Sequence, residues 1–411
     1  MVRSASPRAQ LPTAQLRTAP PPVTAVGRSS VPHPQACRLR LWTGDHAAIG
    51  AQVAAYLQHE SPQGPAVIER WRAWRGRSDI TARARAIERT LARFWPPVLA
   101  EMLALARACR VDPRSVLAEW TAPPRATHGR SCTVFWVPPQ LSASGRPLVG
   151  RNFDLRLADP ERLVAYTMPE TGHSHCGMAG RAGRTEGINS AGLVIATTEA
   201  QVRPEILDPA EGFDAHGERI GARAAAAGAV PARLATRIAL ERCATVHQAT
   251  ALLVELAQWT HFNFLLADAN GDAAVVEVGV RRTVVRHPDP HNGPWLVATN
   301  HFVSSALQGE ADFRWLTRQK YRSTWEGLDE TRSGSGTSTT GLLTATDCQT
   351  VLARRGVAQR HLTLWSQVFE PGAHQLWLAP GRPDRNAFVA LPSPGRGMNR
   401  TALPADLAVR S

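Results

Sequence analysis

A cysteine, an arginine and an aspartate follow one another in a short stretch of this chain. Cys132 opens an apolar segment that ends at Val137, and Arg151 and Asp154 follow in the motif Gly-Arg-Asn-Phe-Asp. A thiol beside a guanidinium favours its thiolate form, and the thiolate is the nucleophile. The three residue types suit catalysis by sulfur, but chance produces such a set in many proteins. Motifs elsewhere in the chain must therefore show whether Cys132 is a catalytic nucleophile.

Two predicted strands would bring these residues together. Residues 131–137 are β-branched and aromatic, which predicts a strand, and residues 147–150 predict a returning strand after a turn at 142–145. Such a hairpin would place Arg151 and Asp154 about a hairpin's width from the sulfur of Cys132.

Five motifs in a fixed order strengthen the hypothesis. They are Ser131-Cys132-Thr133, Gly150 to Asp154, Glu186 to Leu193, Asn263 to Asp268, and Ala298 to Phe302. This series resembles the isopenicillin N acyltransferase-like (acyl-coenzyme A:6-aminopenicillanic acid acyltransferase) family of N-terminal-nucleophile (Ntn) hydrolases. The resemblance runs from about Phe94 to Pro383. It implies an α+β fold, the four-layer αββα sandwich of Ntn hydrolases, preceded by a helical N-terminal segment.

The resemblance also implies self-cleavage between Ser131 and Cys132. The cut would give Cys132 a free α-amine with a pKa of about 8, usable as a base near neutrality. Nucleophile and base would then belong to one residue, as in N-terminal threonine enzymes. The pieces 1–131 and 132–411 would remain together as an α/β heterodimer, because each alone would expose a core face.

The family pattern assigns roles to further residues. Asp154 would hold the α-amine, Arg151 would stabilise the thiolate or orient Asp154, and Asn300 would stabilise the oxyanion. A surface salt bridge and a turn asparagine are the ordinary alternatives for these types. An arginine completes the family's site, and we assign it to Arg314, although Arg318 and Arg322 lie in the same window. We expect Asn189, Asn263 and His301 to contact the substrate, with turn formation an equal explanation for Asn189.

The sequence leaves several functions open. An acyl thioester on Cys132 could pass its acyl group to water, as in an amidohydrolase, or to an amine, as in an acyltransferase. Small-molecule amides, or acyl-CoA with an amine, are the expected substrates; no cofactor is expected, and acyl-CoA would serve only as an acyl donor. One alternative is an uncleaved, non-catalytic Ntn-fold protein that binds a ligand. Another is a papain-type pair of Cys132 and His301, but the flanking signature of that class is missing.

Composition argues against other classes. The formal charge of +13 comes from arginines spread over the 411 residues, with Lys320 the only lysine, so a nucleic-acid partner is not expected. The six cysteines lack metal-ligand or disulfide spacing and fit a reducing compartment. His173, His175 and Cys176 lack a further ligand pair and predict a polar loop, not a metal site. We expect no membrane span and a cytoplasmic location.

Three parts are predicted along the chain. Residues 1–36 are a disordered Pro/Ala/Arg-rich tail, 37–131 a helical part, and 132–411 the Ntn core. Periodicity and caps predict helices over 45–57, 79–93, after Pro97, over 112–120, within 217–240 and over 245–259. Further strands are predicted at 193–198, 263–268, 274–278, 284–285, 295–299, 361–365 and 375–379.

Overall fold

A computed structural model of the chain describes most residues from Cys37 onward. The described ranges are 37–119, 132–155, 161–180, 183–201, 230–256, 261–279, 282–289, 291, 293–310, 315–334, 341–358, 363–392, 394–395, 398–399, 401, 403–404 and 406–407. The predicted tail 1–36 and residue Ser131 lie outside them.

The helices follow the predicted periodicity and caps. In chain order, those of the described residues are α1 (His46–His59), α2 (Gly64–Ala73), α3 (Ser78–Phe94), α4 (Pro96–Cys109), α5 (Pro113–Glu119), α6 (Ala232–Arg242), α7 (Val246–Glu255), α8 (Trp315–Arg332) and α9 (Ala345–Ala353). Asp45 caps α1 by accepting from the Ala48 N–H at 2.7 Å, and Thr245 caps α7 in the same way. Four predicted N-terminal helices are confirmed; α2, α8 and α9 were not predicted.

Fifteen strands are present in the described part of the chain. They are β1 (Arg38–Gly44), β2 (Thr133–Val137), β3 (Leu148–Asp154), β4 (Leu163–Pro169), β5 (His175–Gly180), β6 (Gly183–Arg184), β7 (Glu186–Asn189), β8 (Val194–Glu199), β9 (Phe262–Ala267), β10 (Ala273–Val278), β11 (Thr283–Arg286), β12 (Leu296–Ala298), β13 (Thr363–Glu370), β14 (Gln375–Ala379) and β15 (Val389–Leu391). The segment that begins the predicted helical part is thus a strand, β1.

The strands form two sheets. One has the order β1-β4-β5-β7-β8-β9-β10-β11, with β6 attached to β5, and the other has the order β12-β2-β3-β13-β14-β15. Neighbouring strands are antiparallel except β1, which runs parallel to β4 at the edge of the larger sheet. The predicted hairpin of β2 and β3 is therefore central in the smaller sheet.

Alternation of side chains along β2 shows the layers. Val134 and Trp136 belong to the core between the two sheets, where β2 packs on β8 and β9. Phe135 and Val137 face the opposite way, into a core shared with α8 and α9. On the far side of the larger sheet, α3 to α7 pack in a third core. Helices, two sheets and helices make the predicted αββα sandwich, with α1 to α5 as its N-terminal helical segment.

A buried charge cluster joins the N-terminal segment to the core. Arg237 of α6 bonds both carboxylate oxygens of Glu101 in α4 and donates to Glu241 at 2.9 Å. Glu241 also contacts His46 of α1 at 3.2 Å and His175 of β5 at 3.1 Å. Burial alone would raise the pKa of Glu241, but Arg237 and the histidines hold it well below its usual range. A charge this deeply buried requires its partners, so α1 and α4 are fixed to the core.

The close approach of β2 and β3 gives a prediction of stability. Gly150 pairs with Phe135, and a Cβ on Gly150 would lie 2.1 Å from the end of the Phe135 ring. Since that ring is fully buried, we expect Gly150→Ala to lower the free energy of unfolding by about 1–3 kcal/mol. Urea denaturation measures the change. The matched control is Gly309→Ala, whose Cβ meets no atom within 4 Å; equal midpoints for the two variants would contradict the packing described.

Candidate active site

Cys132 lies immediately before β2 in the middle of the smaller sheet. Its side chain is only 5% exposed and belongs to the core between the sheets. The sulfur lies 3.8 Å from the backbone carbonyl oxygen of Asp154. The strand start therefore holds the thiol in a fixed position with little access to water.

Arg151 supplies a cation to the same face. On β3 it shares a face with Val149 and Phe153, which points into the space between the sheets. Its side chain is fully buried. Its Nη1 donates to the carbonyl of Asn152 at 2.7 Å, whereas Nη2 has no hydrogen-bond partner among the described nitrogen and oxygen atoms. Burial would lower the pKa of Arg151, but Cys132 and Glu186 outweigh it and raise the pKa. The guanidinium is thus placed to stabilise a thiolate at Cys132.

Glu186 balances this cation from the other sheet. Its Oε2 lies 3.4 Å from Arg151 Nε, and its Oε1 accepts from the Trp365 indole at 2.7 Å. Trp365 stacks on Phe153 with centroids 4.1 Å apart, and the Arg151 guanidinium lies 5.2 Å from the Phe153 ring. Burial raises the pKa of Glu186, and Arg151 opposes the rise. The ion pair crosses between the two sheets beside the candidate nucleophile.

Asp154 points to the helix side of the sheet. It lies three residues after Arg151 on one strand, so the two side chains face opposite ways. Lys320 of α8 binds its Oδ2, and the Thr363 hydroxyl donates to its Oδ1 at 2.6 Å. Burial raises the pKa of Asp154, while Lys320 is the strongest of the groups that oppose the rise. The carboxylate is therefore held mainly by Lys320 and Thr363.

Asn300 adjoins Cys132 across the neighbouring strand. Ala298 of β12 pairs with Val134, so the same register continued by two residues sets Asn300 opposite Cys132. Its Nδ2 donates to the Glu199 carbonyl at 2.6 Å, which uses one of its two N–H groups, and its backbone N–H donates to Thr317 at 2.8 Å. This position fits the predicted oxyanion donor.

Asn263 holds the segment that carries Asn300. Its Nδ2 contacts the carbonyls of Thr299 at 2.9 Å and His301 at 3.2 Å. The Thr198 hydroxyl also donates to the Thr299 carbonyl at 2.6 Å. These bonds give the amide nitrogen of Asn263 a positioning role. Its buried Oδ1 has no hydrogen-bond partner among the described residues, and its contact with substrate stays a prediction.

Asn189 also binds backbone groups through its side-chain amide. Its Nδ2 donates to the carbonyls of Leu240 at 2.8 Å and Cys243 at 2.7 Å. Its Oδ1 accepts from the N–H groups of Ala191 and Leu193. With its amide nitrogen and oxygen both engaged, Asn189 closes the turn before β8 and binds the C-terminal end of α6. This fits the turn role given as the alternative, and contact with substrate stays a prediction.

His301 faces α8. Its Nδ1 lies 3.0 Å from the Thr299 hydroxyl and 3.1 Å from the Thr317 hydroxyl, and its ring meets Tyr321 edge-on. Alternation puts Asn300 on the thiol's side and His301 on the other. His301 and Cys132 therefore do not form a papain-type pair. The predicted contact of His301 with substrate stays a prediction.

The last predicted catalytic residue, Arg314, lies outside the described residues. Arg318 and Arg322, the alternatives in the same window, are both on α8.

The motif His173 to Cys176 is not a polar loop. His175 and Cys176 begin β5 and are fully buried, and His175 joins the charge cluster of Glu241. Within the described ranges, no group of three or more His, Cys, Asp or Glu is placed to hold a metal ion.

Three residues at the site were not predicted from sequence. Lys320 and Thr363 bind Asp154, and Glu186 pairs with Arg151. A lone lysine in a chain that otherwise uses arginine was the available signal for Lys320. Glu186 opens a quoted motif, whereas Thr363 gave no signal.

The αββα sandwich, with Cys132 immediately before a central strand, has the fold of the class of Ntn hydrolases. The chain belongs to the family described as acyl-coenzyme A:6-aminopenicillanic acid acyl-transferase, whose model matches residues 141–385. This match begins after Cys132 and includes Arg151, Asp154 and Asn300.

Solved structures are similar to this chain at low sequence identity. An ortholog of N-acylethanolamine-hydrolyzing acid amidase from Caenorhabditis elegans is 17% identical over 59% of this chain and 93% of its own, with a TM-score of 0.42. A conjugated bile acid hydrolase variant from Clostridium perfringens is 11% identical over 68% and 99%, with a TM-score of 0.42. Penicillin V acylase from Agrobacterium tumefaciens is 14% identical over 68% and 99%, with a TM-score of 0.38. No curated protein matches the sequence.

The burial of His301 predicts a pH dependence of stability. Burial, with Arg318 as a second cause, lowers its pKa from 6.5 to about 4. Between about pH 6.5 and pH 4, His301 therefore binds a proton in the unfolded chain but not in the folded chain. The free energy of unfolding falls as the pH falls through this range. We expect His301→Gln to lose less unfolding free energy than the unmodified protein between pH 7 and pH 4.5, measured by urea denaturation. His247→Gln, at an exposed position of α7, should keep the original dependence; equal losses in all three proteins would contradict the assignment.

Proposed function

We propose that this protein is a self-cleaving cysteine amidohydrolase or acyltransferase. Cys132 forms an acyl thioester, and the acyl group then passes to water or to an amine. The observation that carries the proposal is the placement of three groups on one face: the Cys132 thiol, the Arg151 guanidinium and, by register, the Asn300 amide. Membership of an acyl-transferase family supports the same chemistry.

Self-cleavage starts from the intact peptide bond between Ser131 and Cys132. The Cys132 sulfur adds to the Ser131 carbonyl carbon, the C–N bond breaks, and the thiol proton ends on the departing nitrogen. The product is a thioester with a new α-amine on Cys132. Water then hydrolyses the thioester, which leaves a carboxylic acid on Ser131 and restores the thiol.

The new α-amine serves as the base in each later turnover. It takes the thiol proton as the sulfur adds to the substrate carbonyl, and Arg151 stabilises the thiolate. Asn300 Nδ2 donates to the oxyanion. The amine returns its proton to the leaving group as the thioester forms. Attack by water or by an acceptor amine releases the acyl group and regenerates the thiol.

The substrates and assembly follow from this chemistry. We propose small-molecule amides, or acyl-CoA as donor with an amine as acceptor. The two pieces remain a heterodimer, since β1 and the Glu101–Arg237 pair anchor the N-terminal piece. Among the described residues no helix is long and apolar enough to cross a membrane; a cytoplasmic location stays a prediction.

Intact mass of the purified protein tests the cleavage. We expect two chains, 1–131 and 132–411, and a single uncut chain for Cys132→Ala because the attacking sulfur is gone. Cys109→Ala removes another buried thiol and should cleave as the unmodified protein does. A single chain for the unmodified protein would favour an uncleaved, non-catalytic Ntn-fold protein.

The oxyanion role of Asn300 has its own test. With p-nitrophenyl acetate as acyl donor and cleaved protein, Asn300→Ala should slow acylation about 10²–10³-fold, because one donor to the developing negative charge is lost. Asn386→Ala, at a buried asparagine that bonds the Arg382 carbonyl, is the control and should acylate normally. An unchanged rate for Asn300→Ala would remove Asn300 from the mechanism.

A further inference from the structure

Lys320 is the only lysine among 47 basic residues, and its side chain is 1% exposed. It extends from α8 to the carboxylate of Asp154, on the strand that also carries Arg151. A buried lysine is costly, and arginine is the usual residue for buried ion pairs. A compact ammonium at this one position therefore points to a use beyond holding α8 to the sheet.

The charges around Cys132 balance before cleavage. Arg151 faces Glu186 from the other sheet, and Lys320 faces Asp154, which gives two cations and two anions. His301 also packs on α8, but burial lowers its pKa to about 4, so it is uncharged near neutrality. The two ion pairs thus add no net formal charge to the described site while the chain is intact.

Cleavage adds one titratable group to this balanced set. If the new α-amine of Cys132 took up a proton, the buried site would gain a net positive charge, which desolvation disfavours. Lys320 already occupies one oxygen of Asp154, so the carboxylate is partly neutralised before an α-ammonium could use it. A neighbouring cation is an established way to keep a catalytic amine unprotonated.

We propose that Lys320 is a positioning residue that compensates Asp154 and thereby keeps the Cys132 α-amine in its base form. This inference rests on the proposed function, because it needs the amine that cleavage creates. Lys320 acts through Asp154. It tunes the pH range in which the cleaved protein can acylate.

The pH profile of acylation tests this role. For cleaved protein, p-nitrophenolate release from p-nitrophenyl acetate is measured as kcat/KM against pH, whose acid limb reports the base of the free enzyme. Lys320→Gln keeps a hydrogen-bond donor but removes the positive charge. Without that charge Asp154 favours the protonated α-amine, so the pKa of the α-amine rises. We expect the acid limb to move upward by about one pH unit or more. Lys320→Arg keeps the charge and should keep the limb of the unmodified protein.

Comparing Lys320→Gln with Lys320→Arg separates the effect of the charge from the effect of altered packing. Arg237→Met removes a buried cation of the distant Glu101–Glu241 cluster and should lower thermal stability without moving the limb. An unmoved limb in Lys320→Gln, or equal shifts in the Gln and Arg variants, would overturn the inference. If Lys320→Gln does not fold, Lys320→Met is measured against Lys320→Arg in its place. An uncleaved unmodified protein, seen by intact mass, would instead overturn the proposed function itself.

Discussion

The buried positive charge of Arg151 is the constraint on which the centre of this protein depends. A fully desolvated guanidinium is tolerated only with compensating partners, and the nearest anion, Glu186, comes from the facing sheet. The two sheets must therefore meet in one register and at one distance. Trp365 reinforces that register by bonding Glu186 while stacking on Phe153. The interaction that orders the sandwich is thus also the one that faces the sulfur of Cys132.

A second buried charge cluster joins the N-terminal segment to the core. Arg237 bonds both Glu101 and Glu241, and His46 and His175 also contact Glu241. One edge strand, β1, also comes from this segment. Residues 37–119 are therefore part of the same folded unit as the sheets, although they precede the predicted cleavage point.

Local signals in the sequence located many of the helices and strands, but not which way their side chains face or what they contact. Caps and periodicity located most N-terminal helices, and residue type located the hairpin that carries Cys132 and Arg151. The sequence prediction ended the second strand at Gly150, whereas β3 continues to Asp154 and turns the carboxylate away from Arg151. Lys320 was out of reach because it is 166 residues from Asp154 in sequence. Pairing over such a separation is decided by packing, which leaves no local pattern.

The two ends of the described chain lie side by side. The N–H of Cys37 donates to the carbonyl of Leu407 at 2.7 Å, and the N–H of Leu407 returns the bond at 2.8 Å. Proteins with adjacent ends tolerate circular permutation. A short linker from residue 407 to residue 37 would allow translation to begin at Met-Cys132, with removal of the initiator methionine exposing the cysteine amine directly. The architecture thus permits a rearranged gene whose product would have the proposed N-terminal cysteine without any intramolecular proteolysis.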